Sequence, residues 1–438
     1  MKQTMKKYFI FLASAAMLLA TSCAKEEVNT TGETELITVQ LNPETKTALG
    51  ADGTTTTWDA DDKVSVTVGG EVVGTLSLVE GSTFSGEITA GLSGDATLKY
   101  PADVTAIPEP QAAVNGSFAN GAALLEGTTT VEDLRAGKSV ELKNKTALLK
   151  FTVAQAGEVT FEVGTAKYTV TGCKTGETYY ACVEPAESVN LVARIDGYLS
   201  RATSDAVTFT ASTVADLEEL PAPKESSVEL RGDSPLSWEN GTKFYEDIDC
   251  FVLKNVPLTA TQGFKIVSDS KWLQGAVTKD KWAVLKENGE NMKLAAGNYD
   301  IYISKTAKVI SVVSAGSSSP ELIKPESDYL YLLPSDNWLE SNAHFAAWIW
   351  KDSGAGKVYN FTEHKSVTGL YQLKLNGANM MILFRMDPNK KVTDGSTSYP
   401  GDDQWFKSGD LSIGTNNLYT VINWHGTGSG FSKVTTLL

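Results

Sequence analysis

His344-Phe345-Ala346-Ala347-Trp348-Ile349-Trp350, followed after a short turn by Val358-Tyr359-Asn360-Phe361, alternates strictly. Side chains two apart on a strand share a face, so Phe345, Ala347 and Ile349 fall on one side and His344, Ala346, Trp348 and Trp350 on the other. The stretch therefore reads as a strand of an all-β module. Two tryptophans on one face, beside the small Ala346, make a flat aromatic strip. Such rings stack on the apolar C–H faces of sugars, and tryptophan supplies that area with few bonds to freeze. The same spacing also describes a buried sandwich face, because most strand aromatics pack in cores. Alternation alone leaves both readings open.

Outward from this strand the 438-residue chain keeps the same grain. Ile37-Thr38-Val39-Gln40-Leu41, Lys63 to Val68, Leu148 to Val153 and Val207 to Thr210 are short apolar runs, with turns marked by Gly69-Gly70, Gly81-Ser82 and Gly172. Few long helical periodicities interrupt them. The length exceeds what one core fills. The expected fold is all-β, with immunoglobulin-like β-sandwich domains in series. A formal charge of −15 argues against nucleic acid and anionic lipid surfaces as partners and suits a neutral ligand.

Residues 1–22 read as a targeting segment: Lys2, Lys6 and Lys7, then the apolar run Tyr8 to Ala20, then small residues before Cys23. The run is short for a spanning helix. Removing it drops three lysines and takes the formal charge from −15 to −18. Small residues followed by cysteine resemble a bacterial lipoprotein signal, which implies lipidation at Cys23 and an outer-membrane anchor. Ala24-Lys25-Glu26-Glu27 resembles the export signal of surface lipoproteins in gut bacteria, placing the chain on the extracellular side. Residues 23–33 then read as a lipidated tether. Of the other cysteines, Cys173 and Cys182 flank Lys174-Thr175-Gly176-Glu177 and could face each other across a hairpin, while Cys250 stands apart. Structural thiols are the simpler reading.

Residues 34–220 hold one or two sandwiches. Lys46-Thr47-Ala48-Leu49-Gly50, then Thr57-Trp58-Asp59-Ala60-Asp61-Asp62-Lys63-Val64, and later Thr146 to Phe151, resemble fimbrillin-like proteins. That resemblance implies a spacer or pilin-like subunit without catalytic residues. Pro221-Ala222-Pro223 makes a stiff connection. In residues 226–315 the order Trp238, Phe264-Lys265-Ile266, Trp272, Trp282, Gly289-Glu290-Asn291, Gly297-Asn298-Tyr299-Asp300-Ile301 resembles the starch-binding modules of SusE and SusF type lipoproteins. The resemblance implies that Trp272 stacks on glucose. Trp238 or Trp282 would form a second wall, and Lys265 and Asn291 would bond hydroxyls.

Residues 316–326 read as a flexible linker, from Gly316-Ser317-Ser318-Ser319-Pro320. In residues 327–438, Asn337-Trp338, His344 to Trp350, Arg385-Met386-Asp387-Pro388 and Trp405 with Asp410-Leu411 resemble starch-binding modules of family 26. That resemblance implies a platform of Trp348, Trp350 and Tyr359. Trp338 and His344 are further candidates, while Trp405 and Arg385 are expected to be structural.

An enzyme is not expected. A glycosidase needs two carboxylates across a scissile bond, and no pair among the 53 acidic residues stands out. His344, His364 and His425 are scattered, so no metal site is expected either, and no cofactor. The combined expectation is a surface lipoprotein that captures starch, maltooligosaccharide or another α-glucan. Beside it the resemblance implies a SusC/SusD-like importer and a surface amylase. The alternative is a fimbrillin-like adhesin or pilus-associated subunit that binds host glycans.

Overall fold

The computed structural model describes residues 32–43, 58–287, 289–306, 308–318, 326–390, 392–401, 404–413, 418–421 and 431–434. Residues 1–31, with the targeting segment, Cys23 and most of the tether, lie outside them, as do 319–325 of the expected linker. The regular secondary structure of the described residues is almost entirely strand, in several sheets, as the patterning implies.

The first sheet departs from a two-layered sandwich. Thr34–Pro43, Thr83–Thr89, Glu71–Glu80, Lys63–Val68, Asp95–Tyr100, Leu125–Thr130 and Val140–Asn144 pair in that order, and the last returns parallel to the first (Leu41 opposite Val140), closing a barrel. Closing so few strands demands tight coiling, and two glycines permit it. A Cβ on Gly74 would lie 2.3 Å from the carbonyl oxygen of Glu87, and one on Gly86 2.2 Å from that of Thr75. Ile37, Val39, Leu41, Val64, Val66, Phe84 and Leu98 fill the interior. The Trp58–Asp62 motif is a latch on this core. The Trp58 ring meets Phe84 and Tyr100 edge-on, and the Tyr100 hydroxyl donates a hydrogen bond of 2.8 Å to buried Asp62.

The second unit packs a five-stranded sheet (Tyr198–Ala202, Leu191–Ile195, Gly157–Val163, Ala166–Cys173, Gln111–Ala112) and a three-stranded one (Tyr179–Val183, Ala147–Val153, Val214–Leu220) around Leu149, Phe151, Phe161, Tyr179 and Ile195. Cys173 and Cys182 are buried free thiols within this core, and burial pushes the Cys173 thiol up to about 12. Gln111 holds the backbone of Cys182, donating to its carbonyl and accepting from its N–H.

The third unit is built on a ten-stranded sheet. Its order runs from Lys286–Glu287 through Lys271–Gln274, Phe264–Ser268, Glu225–Gly232, Thr242–Glu246, Cys250–Leu258, Gly297–Ser304 and Val309–Ser314 to Trp282–Val284. The tenth strand, Val367–Thr368, belongs to the last unit and pairs parallel with Trp282–Ala283. The last unit packs Tyr329–Leu333 and its neighbours against a sheet of Lys357–Asn360, His344–Trp350, Met380–Met386 and Gln404–Lys407.

The units meet through specific contacts. Arg194 of the second unit binds its own Glu162 at 2.9 Å and reaches Asp247 of the third at 2.8 Å. Tyr198 meets Tyr245 with ring centroids 4.3 Å apart. Trp282, Val284, Tyr302 and Val309 of the third unit share a cluster with Tyr331, Val367 and Leu370 of the last. Backbone pairing and a shared core thus join units that the sequence separates by a run of Gly and Ser.

Candidate functional site

In the third unit, burial alternates along Glu225–Gly232 and Phe264–Ser268, with Leu230, Phe264 and Ile266 inward and Glu229, Arg231, Lys265 and Val267 outward. The register sets Arg231 opposite Lys265, Glu229 opposite Val267, and Val267 opposite Trp272. Trp272 therefore stands on the same outer face as Arg231 and Lys265, and it is 39% exposed.

Polar bonds brace this ring. Arg231 lies under Trp272, its guanidinium carbon 5.5 Å from the ring centroid. The same guanidinium donates to Glu229 at 2.7 Å and to the Trp238 carbonyl at 3.2 Å, which fixes the loop carrying Trp238. Asp233 holds that loop from the other side. It accepts from the Trp238 indole N–H at 2.9 Å and from the Gly263 backbone N–H at 2.7 Å. These bonds, the Gly263 one first, hold its carboxyl below the usual range. The outcome is two indoles with centroids 5.9 Å apart, tilted 44°. Lys265 donates to the Gly289 carbonyl at 2.9 Å. Exposed Asn291 abuts Gly263, where an added Cβ would meet its side chain at 2.9 Å. Four expected residues, Trp238, Trp272, Lys265 and Asn291, thus gather around one strand. Trp282 does not join them. It is 3% exposed and packed between the third and last units, so it offers no ring face to a ligand.

The last unit presents a different picture. Phe345, Ala347 and Ile349 face the core as alternation demands, with His344, Trp348 and Trp350 half-buried on the other face. Tyr359, however, pairs with Ala347, whereas Trp348 pairs with Val358. Directly opposite residues share a face, so Tyr359 lies on the core side, away from both tryptophans, and packs against the core. The expected platform of three rings is not assembled. Trp338, 1% exposed, stacks on Phe345 inside the core. Arg385 is structural, as expected: it is buried and donates to the carbonyls of Trp338 and Glu340.

The tryptophan face is also partly covered. Residues 392–401 cross it, tied to the strand Lys357–Asn360 by Val358 N–H to Ser396 at 3.0 Å, Gly395 N–H to Val358 at 2.8 Å and Asn360 N–H to Asp394 at 2.7 Å. Beneath them Ala346, Val358, Phe384 and Met386 form a small second core against which Trp348 packs.

Sequence reasoning missed Arg231, Asp233 and Tyr399. Arg231 and Asp233 matter through loop bonds that no alternation reveals. Tyr399 is an aromatic in a loop, a place where exposed rings often serve binding.

No family model matches the chain, and no curated protein matches it. Among solved structures, one described as a cell adhesion protein from Bacteroides ovatus is 12% identical, covers 49% of this chain and 97% of its own, and has a TM-score of 0.30. A fimbrial protein from Bacteroides ovatus is 11% identical over 50% of this chain and 57% of its own, with a TM-score of 0.26. A structure described as a cell adhesion protein from Bacteroides uniformis is 14% identical over 48% of this chain and 97% of its own, with a TM-score of 0.25.

Proposed function

We propose that this chain is a non-catalytic, cell-surface carbohydrate-binding protein that uses the outer face of its third unit. One observation carries the proposal: Trp272 is exposed yet braced, by Arg231 beneath it and by Trp238 tilted 44° beside it. Keeping a large aromatic in water forgoes the stabilisation of burying it, and locking its neighbours adds ordering cost. A surface prepared in this way favours a planar apolar ligand face, and sugar rings supply one. Two rings at 44° match a chain that turns between residues better than a flat ribbon. Lys265 and Asn291 stand at the rim to bond hydroxyls.

The first reading of the ligand is an α-glucan, from the resemblance of this unit to starch-binding modules. A lipid on Cys23 would hold the chain to the outer membrane, beside an importer and an amylase. The second reading keeps the site and changes the sugar to a host glycan, with the chain acting as an adhesin. The structures described as cell adhesion and fimbrial proteins bear names of that kind.

Native affinity electrophoresis of residues 24–438 in gels containing amylopectin, dextran or xylan tests the proposal. Retardation by amylopectin alone, weakened in Trp272→Ala, supports the first reading. Unchanged mobility in all three gels, followed by binding on an array of host glycans, favours the second. No binding in either format removes the carbohydrate reading.

A further inference from the structure

We infer that Tyr399 is a ligand-contacting ring of the last unit, in the position that sequence spacing gives to Tyr359; this rests on the carbohydrate reading and adds a second site to it. Three observations bring the inference to Tyr399. Its ring centroid lies 5.4 Å from Trp348 at 60° and 5.4 Å from Phe384 at 85°, so it stands edge-on upon the aromatic face. It nevertheless stays 41% exposed, more than any other aromatic residue among the exposed large hydrophobics of the described chain. Lys407 lies with its ammonium 5.4 Å from the Tyr399 ring and 3.5 Å from its hydroxyl.

The register explains why Lys407 arrives there. It pairs with Phe384, and Phe384 pairs with Ala346, so all three share the tryptophan face. The segment carrying Tyr399 is tied by the Ser396 and Asp394 bonds to the neighbouring strand, so the ring is held in place before any ligand arrives. Tyr399 thus meets Trp348 edge to face and leaves part of its own ring in solvent, with its hydroxyl and the Lys407 ammonium beside that exposed part. Rings at 60° cannot both lie flat on one planar ribbon. The matching ligand is a neutral glycan whose successive rings turn relative to one another, with hydroxyls for Lys407 and the Tyr399 hydroxyl to bond.

A purely structural Tyr399 would only cap the small core of Ala346, Val358, Phe384 and Met386. Tyr399→Leu separates the two roles, because leucine keeps an apolar cap and removes the stacking face. The test uses residues 24–438 carrying Trp272→Ala, which silences the third unit, in amylopectin affinity gels, with thermal melts alongside. The expected result is residual retardation in Trp272→Ala that weakens about tenfold in Tyr399→Leu, with little change in melting temperature. Tyr399→Phe should retain most of it, and Tyr359→Phe all of it. Residual retardation that survives Tyr399→Leu unchanged overturns the inference while leaving the third-unit site standing. Trp272→Ala abolishing all retardation overturns it in the same way. A wild-type chain that binds none of the gels or the glycan array overturns both readings.

Discussion

Two aromatic faces of the same chain, one in the third unit and one in the last, end up in different states. In the third unit, Arg231 and Asp233 brace Trp272 and Trp238, and Trp272 stays exposed. In the last unit, Trp348 packs into a small core beneath residues 392–401, and a loop residue, Tyr399, takes the exposed position. A place on an outer strand face therefore does not specify exposure. What decides it is the neighbouring loop: a polar loop braces the rings in one unit, and a stitched segment covers them in the other.

The sharpest way to break this comparison is to set a core ring against an exposed one. Trp338→Ala removes a buried indole stacked on Phe345 and should destabilise the last unit by about 3–5 kcal/mol, read as a lowered unfolding midpoint in urea. Trp272→Ala should leave that midpoint almost unmoved and cost at least about tenfold in glycan retention, because its ring meets solvent rather than core. A large stability loss at Trp272 would mean that the outer face is packing surface after all.

Trp282→Ala tests the seam between the two units. It should lower stability by roughly 2–4 kcal/mol and split calorimetric unfolding into separate transitions for the third and last units. A single unsplit transition would show that the parallel pairing with Val367–Thr368 couples them without the indole. Trp348→Ala should be intermediate. Its ring belongs partly to the small core, so about 1–3 kcal/mol of stability should go together with binding by the last unit.

The smallest effect concerns pH. Burial holds His364, whose ring lies 6.2 Å from that of Tyr331, below the usual histidine range. Its folded value is lower than its unfolded one, so the fold favours the neutral ring. That contribution is complete above the unfolded value, near 6.5, and is lost as pH falls from there through the folded value. The melting temperature of the last unit should therefore drop modestly on acidification below neutrality, and His364→Gln should flatten the drop. An unchanged slope in that variant would remove His364 as the cause.

The all-β class and the inward set Phe345, Ala347 and Ile349 were legible from period-two alternation, because a strand offers only two faces. In the third unit the order of Trp238, Lys265, Trp272 and Asn291 also sufficed to point at residues that the fold brings together. Trp282 shows where such reasoning stops. Its spacing resembles that of a second wall, yet it lies against Val367, 85 positions later in the chain, and is buried by that pairing. Tyr359 failed for a different reason. Spacing along one strand says nothing about register against the next, and a shift of one residue moves a ring to the opposite face.

The sequence by itself determined the period of the strands, the acidic surface and the residue types able to stack on a sugar, because these depend on each residue and its near neighbours. Only the tertiary structure decided that the first sheet closes, that the thiols of Cys173 and Cys182 stay apart, and which rings face water. Those outcomes depend on strand register and on loops that return from distant positions. Burial is a property of everything packed around a side chain, and local pattern records only the side chain itself.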